Sequence, residues 1–350
     1  MTATSADVFS TFSTGGLLQE VVGQERSFER IAAIEDSGPG TLVFMDKAEH
    51  ADLVRERRPS IVVTSGKLKE LLAGMEETTV LIAANLKLAH ALLKQRYGGR
   101  RYEAAGWGRI DPSAVVHPEA EVAPTAWIEP RAVVGKGVKI GERARVMAGA
   151  VIEHDAVIGS DSVIHPNAVI GYGCVVGNEV TVGSCTVVGS EGYGFAQDAR
   201  GKSHPIPQTG NVVLEDRVRL GANCSVDRAT YHSTRIGAGT KVDNQCHIAH
   251  NVSIGQDCLL TAMLCVAGST QIGDRVMASG QTGILDHVKV CSDVVLVHRA
   301  GVSKDISKPG VYAGAPVQPM KEYMRNTATM RNLAEMRRRL AELEAAVQGE

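Results

Sequence analysis

Residues 133–146 read Val133-Val134-Gly135-Lys136-Gly137-Val138-Lys139-Ile140-Gly141-Glu142-Arg143-Ala144-Arg145-Val146. Val134, Ile140 and Val146 stand six places apart, with small, polar or turn-forming residues between them. Extended both ways, the series runs Ile110, Val116, Val122, Ile128, Val134, Ile140, Val146, Ile152, Ile158, Ile164, Ile170, Val176, Val182 and Val188 without a gap. A period of six fits neither a helix, with its period of 3.6, nor a strand alternating with period 2. It fits a left-handed parallel β-helix in which each hexad is a short strand and a turn, and three hexads close one coil. Each aliphatic residue then points into a prism and stacks on the residue eighteen places further along the chain.

Outward from this core the chain divides in three. Residues 1–107 lack the six-residue period. Helix-like stretches at 68–75 and 86–96 alternate there with β-like runs at 41–45, 60–64 and 80–83, which predicts a small α/β domain. The β-helix is expected over 108–308. Its register breaks after Val188 at GSEGYGFAQDARGKSHPIPQTGN, within an inserted loop at 189–212. The hexads resume irregularly at Leu214, Leu220 and Val226, and cleanly from Ile236 to Val302. A long loop leaving a regular solenoid is more often functional than a neutral insertion. In the C-terminal extension, 309–350, Leu333, Met336, Leu340, Leu343 and Val347 follow a 3,4 spacing. That predicts a coiled-coil seam between subunits, with a helix folded back on its own prism as the alternative.

Composition narrows the possibilities. Aromatic residues make up only 4%, in keeping with a narrow stack of Val and Ile, and the formal charge of −2 gives no reason to expect nucleic-acid binding. No apolar run approaches the roughly 18 residues of a membrane span, and the first residues have neither a basic nor an apolar leader region. The seven cysteines contain no CxxC and are read as reduced, buried thiols of a cytoplasmic protein.

A β-helix is a scaffold, so function has to come from what it displays. The second clean block contains KVDNQCHIAHNVSIGQDC, then VAGSTQIGD and ILDHVKV. With Ile248 inward, His250 points out. Coils stack about 4.8 Å apart, which sets Gly268 above His250, Asp286 above Gly268, and His287 beside that column. Asp243 lies in the preceding hexad. A histidine, a carboxylate and an exposed glycine N–H on one edge are the material for general-base catalysis with an oxyanion donor. His117, His154, His165 and His298 are read as solvent-facing residues without a role.

The segments GSEGYGFAQDARGKSHPIPQTGN, DNQCHIAHN and PGVYAGAPVQP resemble the UDP-3-O-acylglucosamine N-acyltransferases of lipid A biosynthesis, from about residue 28 to the C-terminus. The resemblance implies a homotrimer with active sites in clefts between neighbouring prisms. It implies transfer of an (R)-3-hydroxyacyl group from the phosphopantetheine arm of acyl carrier protein to the 2-amino group of a UDP-3-O-acyl-glucosamine, with no bound cofactor and no metal. His250 would be the general base, Asp243 would orient it, Gly268 N–H would meet the oxyanion, and His287 would position substrate or the pantetheine arm. In the family the N-terminal domain grips uracil between aromatic side chains with a nearby Asn. Here Phe44 keeps the first aromatic, whereas Lys47 stands where Asn is expected and His50 where Tyr is expected. That departure leaves a diamino sugar acceptor open. Arg325, Arg331, Arg337, Arg338 and Arg339 give the C-terminal helices a basic face suited to an acidic carrier protein. The competing readings are an acetyl-CoA-dependent nucleotide-sugar N-acetyltransferase, an O-acyltransferase, and a zinc-dependent carbonic anhydrase on the same prism. The last needs three histidines at one boundary, which the spacing of His250, His287 and His298 does not provide.

Overall fold

The computed structural model describes residues 2–99, 102, 106–314 and 320–348, without the side chains of 320–323 and 348. It divides into two units, Met1–Ala105 and Gly106–Glu350.

The first unit is a five-stranded sheet between two layers. In spatial order its strands are Leu18–Val22, Thr79–Ala83, Ile61–Ser65, Thr41–Met45 and Arg30–Ile31; the first pairing is antiparallel and the others are parallel. Helices α1 (Ser5–Ser13) and α3 (Leu86–Gly98) cover one face, where Val8, Leu42, Val63, Leu81, Ala89 and Leu93 are buried together. Helix α2 (Ala51–Arg57) lies over the other face, against Val43, Met45 and Val62. Both α1 and α3 begin at polar caps: Thr4 accepts the N–H of Asp7, and Asn85 accepts the N–H of Leu88. The stretch expected to be helical at 68–75 is a 3-10 segment, Gly66–Leu72. It starts at a glycine, its N-cap Ser65 makes no side-chain cap, and Gly74 takes a left-handed φ of 79° just beyond it.

The second unit contains the β-helix, and its three walls are all-parallel sheets of two- to four-residue strands. The first wall runs from Val115–Val116 to Gly301–Val302, the second from Glu121–Val122 to Lys289–Val290, and the third from Trp127–Ile128 to Gly310–Tyr312. Register is set by the hexad residues: along the first wall Val134 pairs with Ile152, Ile170 with Val188, Val226 with Ile248, and Ile248 with Val266. From Ile128 onward these side chains are buried, each contributing roughly 1.5–3 kcal/mol through loss of apolar surface to water. Ile110 is exposed, because it begins the first coil and nothing in the prism stacks beneath it.

A second inward column lies two places before each hexad residue and takes mostly Ala, Cys and Val, among them Ala144, Ala156, Cys174, Val180, Cys224, Cys246, Val252 and Cys258. At several places it holds a hydroxyl to which a carbonyl of the next coil acts as acceptor, as Gly177 O does for Ser162 (2.8 Å) and Gly221 O for Thr186 (2.6 Å). This corrects the reading of the cysteines. Those four are buried, but Cys185 and Cys265 are exposed and Cys291 is half-buried, since they occupy corner or outward places.

The corners follow one rule. From Ile128 to Leu296, outside the two insertions, the residue three places after each hexad residue takes left-handed φ, and every non-glycine residue with positive φ except Arg58 falls there. The residue before it needs no backbone N–H, so Pro118, Pro124, Pro130 and Pro166 occupy that place.

Two insertions depart from the hexads, both after first-wall strands. From Val188 to Leu214 the chain takes twenty-six residues where six suffice elsewhere, and from Val226 to Ile236 it takes ten. The longer one carries an antiparallel hairpin, Phe195–Gln197 with Ser203–Pro205. At the C-terminal end, helices α4 (Met320–Arg331) and α5 (Leu333–Gln348) follow. Leu333, Met336, Leu340, Leu343 and Val347 are all exposed, so the described seam does not fold back on the prism.

Candidate active site

His250 sits at the second corner place after Ile248, on the edge from which both insertions leave. Its imidazole is boxed by two glycines. A Cβ added to Gly268, one coil above, would lie 2.8 Å from His250 Cε1 and 2.9 Å from Nε2. A Cβ added to Gly192, on the long insertion, would lie 2.6 Å from His250 Cβ and 2.9 Å from Cδ2. Both positions therefore require glycine while the ring stays in place. Nδ1 of His250 is buried and makes no hydrogen bond among the described residues. Asn251 takes the left-handed corner (φ 61°), and its Oδ1 accepts the Thr230 N–H at 2.7 Å, tying His250 to the shorter insertion.

Gly268 occupies the corner place whose amide the ladder does not use. Its N–H makes no hydrogen bond among the described residues, while its carbonyl accepts from His287 N–H at 3.0 Å. The expected stack of Gly268 on His250 and Asp286 on Gly268 follows from the pairing of Ile248 with Val266 and of Val266 with Ile284. His287 is exposed at the left-handed corner, φ 58°, two coils above His250.

The buried carboxylate on this edge is Asp227, which sequence reasoning missed. Because Val226 pairs with Ile248, Asp227 lies one coil below Ala249, next to His250. Ser190 Oγ donates to its Oδ1 at 2.8 Å, and His247 Nε2 stands 3.7 Å from its Oδ2. Burial pushes the Asp227 carboxyl above its ordinary range, against the opposing pull of Ser190, of the imidazoles of His247 and His250, and of Ser225. A count of eighteen does not find it, because the shorter insertion stretches the coil from Val226 to Ile248 to twenty-two residues.

Asp243 does not meet His250 within the protomer. It follows the third-wall strand Lys241–Val242, is exposed, and its Oδ1 accepts the N–H of Asn244 at 2.8 Å. The reason is the period itself. One hexad is a third of a coil, so a residue seven places back belongs to a different corner, whereas one a full coil back shares the same edge. The orienting role expected of Asp243 is therefore not met inside one chain.

Arg228, next to Asp227, was also missed. It is among the largest fully buried side chains. Its guanidinium donates to the carbonyls of Gly189 (2.8 Å), Gly210 (3.0 Å) and Tyr172 (2.8 Å), and lies 3.4 Å over the Tyr172 ring. It thus pins both ends of the long insertion, and with them the segment that carries Gly192.

In the first unit, Phe44 is half-buried on its strand, packed toward the α1 and α3 layer, with the His90 ring stacked on it at 4.3 Å between centroids. Lys47 pairs with Glu49 at 3.2 Å. His50 closes the 3-10 turn Ala48–His50, and its Nδ1 is buried without a hydrogen-bond partner, 3.5 Å from Asp46. Of the remaining histidines, His154 stacks on Tyr172. Among the described residues no three His, Cys, Asp or Glu side chains come together as a metal site, and no helix is long and apolar enough to cross a membrane.

Residues 110–191 match the family described as the GMPPB C-terminal domain. The crystal structure of UDP-N-acetylglucosamine O-acyltransferase from Moraxella catarrhalis is 22% identical, with a TM-score of 0.46 over 66% of this chain and 84% of that one. A protein of Bordetella avium named UDP-3-O-acylglucosamine N-acyltransferase is 40% identical over 161 residues, covering 45% of each chain. A protein of the same name from Methylococcus capsulatus is 48% identical over 347 residues, which cover 99% of this chain and 98% of that protein. With that identity along nearly its whole length, the chain belongs to the UDP-3-O-acylglucosamine N-acyltransferases.

Proposed function

We propose that this enzyme moves an (R)-3-hydroxyacyl group from the phosphopantetheine thioester of acyl carrier protein to the 2-amino group of a UDP-3-O-acyl-glucosamine, a step of lipid A biosynthesis in the cytoplasm. The observation that carries the mechanism is the boxed imidazole of His250 beside the unused N–H of Gly268. The amine attacks the thioester carbonyl, its proton passes to His250, and the tetrahedral oxyanion meets the Gly268 N–H. Collapse expels the pantetheine thiolate, which takes the proton back from the imidazolium. His287, two coils up on the same edge, positions substrate or the pantetheine arm. Phe44, Lys47 and His50 hold the uridine end.

The working form is a homotrimer. His250 lies on an outer edge of a convex prism, so a second wall for the site comes from a neighbouring copy. The exposed 3,4 seam of α5 supports the same reading. Arg325, Arg331, Arg337 and Arg339 offer positive charge to the acidic carrier protein, whereas Arg338 is already paired with Glu335 (2.7 Å) and Glu342 (2.6 Å).

Acyl transfer from the carrier to UDP-3-O-acyl-glucosamine tests the proposal. His250→Ala should lower kcat about 10²–10⁴-fold with little change in KM or melting temperature. Near-normal kcat would overturn the assignment and leave His247 or His287 as the candidate base.

A further inference from the structure

Asp227 is acidic, largely buried and absent from the mechanism above. It lies one coil below His250 on the same edge, a relation fixed by the pairing of Val226 with Ile248. Its two oxygens are differently engaged, Oδ1 accepting from Ser190 and Oδ2 facing His247 Nε2 at 3.7 Å. Ser190 and Ser225 are themselves 3.4 Å apart, so two hydroxyls and two imidazoles surround one carboxylate. Of the other charged groups nearby in sequence, Arg228 is spent on the carbonyls of Gly189, Gly210 and Tyr172, and Glu191 is exposed. No cation other than an imidazolium is thus at hand for Asp227 among the described residues.

We propose that Asp227, held by Ser190, is the positioning carboxylate of the reaction, its negative charge stabilising the imidazolium that forms when His250 takes the amine proton. This rests on His250 being the base. Asp227 touches no substrate and exchanges no proton in the step. The amine N–H bond breaks, an imidazole N–H bond forms, and the new positive charge appears beside a carboxylate in a poorly hydrated corner. An opposite charge in such surroundings stabilises the imidazolium as it forms in the transition state. A coil-below carboxylate also meets a need that Asp243, on another corner, does not meet within the protomer. The long insertion contributes to catalysis twice under this reading, through Gly192 against the ring and through Ser190 on the carboxylate.

The test is the pH–rate profile of Asp227→Asn, which keeps the side-chain shape and an oxygen for Ser190 but removes the charge. Without the charge the imidazolium is disfavoured and loses its proton at lower pH. Since the base works unprotonated, the ascending limb should move to lower pH. The plateau of kcat should fall about tenfold or more with KM for the sugar nearly unchanged, because a less basic imidazole is a weaker proton acceptor. Ser190→Ala, which loosens the hold on the ionised carboxylate without touching its charge, should shift the limb the same way by a smaller amount, and it serves if Asp227→Asn fails to fold. A limb that stays in place in both folded variants overturns the proposal. If His250→Ala also keeps its turnover, the assignment of the base fails instead, so the two failures are separable.

Discussion

Gly268→Ala is the sharpest perturbation the site offers. Gly268 is not in the left-handed region, so alanine fits its backbone, and the amide N–H proposed to meet the oxyanion is retained. Only a methyl group is added, at 2.8 Å from His250 Cε1 and 2.9 Å from Nε2. Ordinary contact between such atoms begins near 3.5 Å, so the imidazole has to retreat by about 0.6–0.7 Å. Retreat is limited on its other side by Gly192, whose own added Cβ would be only 2.6 Å from His250 Cβ. A displacement approaching 1 Å at a catalytic group typically costs about 10²-fold. We therefore expect kcat to fall on the order of 10²-fold in steady-state acyl transfer, with the melting profile and subunit assembly near those of the unsubstituted protein. The histidine resonance of residue 250 should shift in a selectively labelled sample. Full kcat together with an unshifted resonance would refute the idea that the glycines fix the ring where it acts.

Arg228→Met should free both ends of the insertion. It removes the donor to three carbonyls, two of them (Gly189 and Gly210) in buried hydrogen bonds, at about 1–3 kcal/mol for each buried carbonyl left without a partner, so proteolysis within 189–211 should accelerate while the rest of the prism resists; unchanged cleavage would make Arg228 dispensable. Leu333→Lys with Leu340→Lys should dissociate the assembly in light scattering and abolish transfer with it; a monomeric parent protein would sink both the seam and the shared site. Phe44→Ala should weaken the UDP-sugar by about 1–3 kcal/mol and leave the KM for the acyl donor unchanged, as loss of a stacking platform would. Equal effects on both substrates would mean that Phe44 serves packing alone, with His90 as its partner.

The prism was legible because its rule is local. Each hexad residue depends only on its counterparts one coil away, so a strict six-residue count locates the core and the stack of His250, Gly268 and Asp286. Asp227, Arg228 and Ser190 were hidden because the count breaks at Val188 and again after Val226, and the coil there is no longer eighteen residues long. Asp243 stands on another edge of the same prism, because nearness in sequence is not nearness in a solenoid, where a third of a turn changes the edge. Gly192 could not be found by periodicity at all: it reaches the ring through a loop whose path is set by the buried Arg228 staple. In the first unit the buried strands were clear as apolar runs, but α1 and α2, with mixed faces, were not.

The corner rule has a wider bearing on how such a protein gains an active site. At the place before each left-handed residue the amide takes no part in the ladder among the described residues. Several such places hold proline, and others are closed by side-chain oxygens, as Asn178 N–H is by Asp216 and Gln256 N–H by Asp274. Where neither is present, as at Lys136, Ala262, Gly268 and Gly280, the N–H makes no hydrogen bond among the described residues and is left over as a latent donor at a fixed repeat. Turning one on takes no new backbone geometry, only the loss of a proline or a capping carboxylate and a residue small enough to admit a ligand. Catalysis on this scaffold is an addressing problem: a short run of substitutions selects which rung is open, and the same selection one coil higher would move the site by one strand spacing without rebuilding the fold.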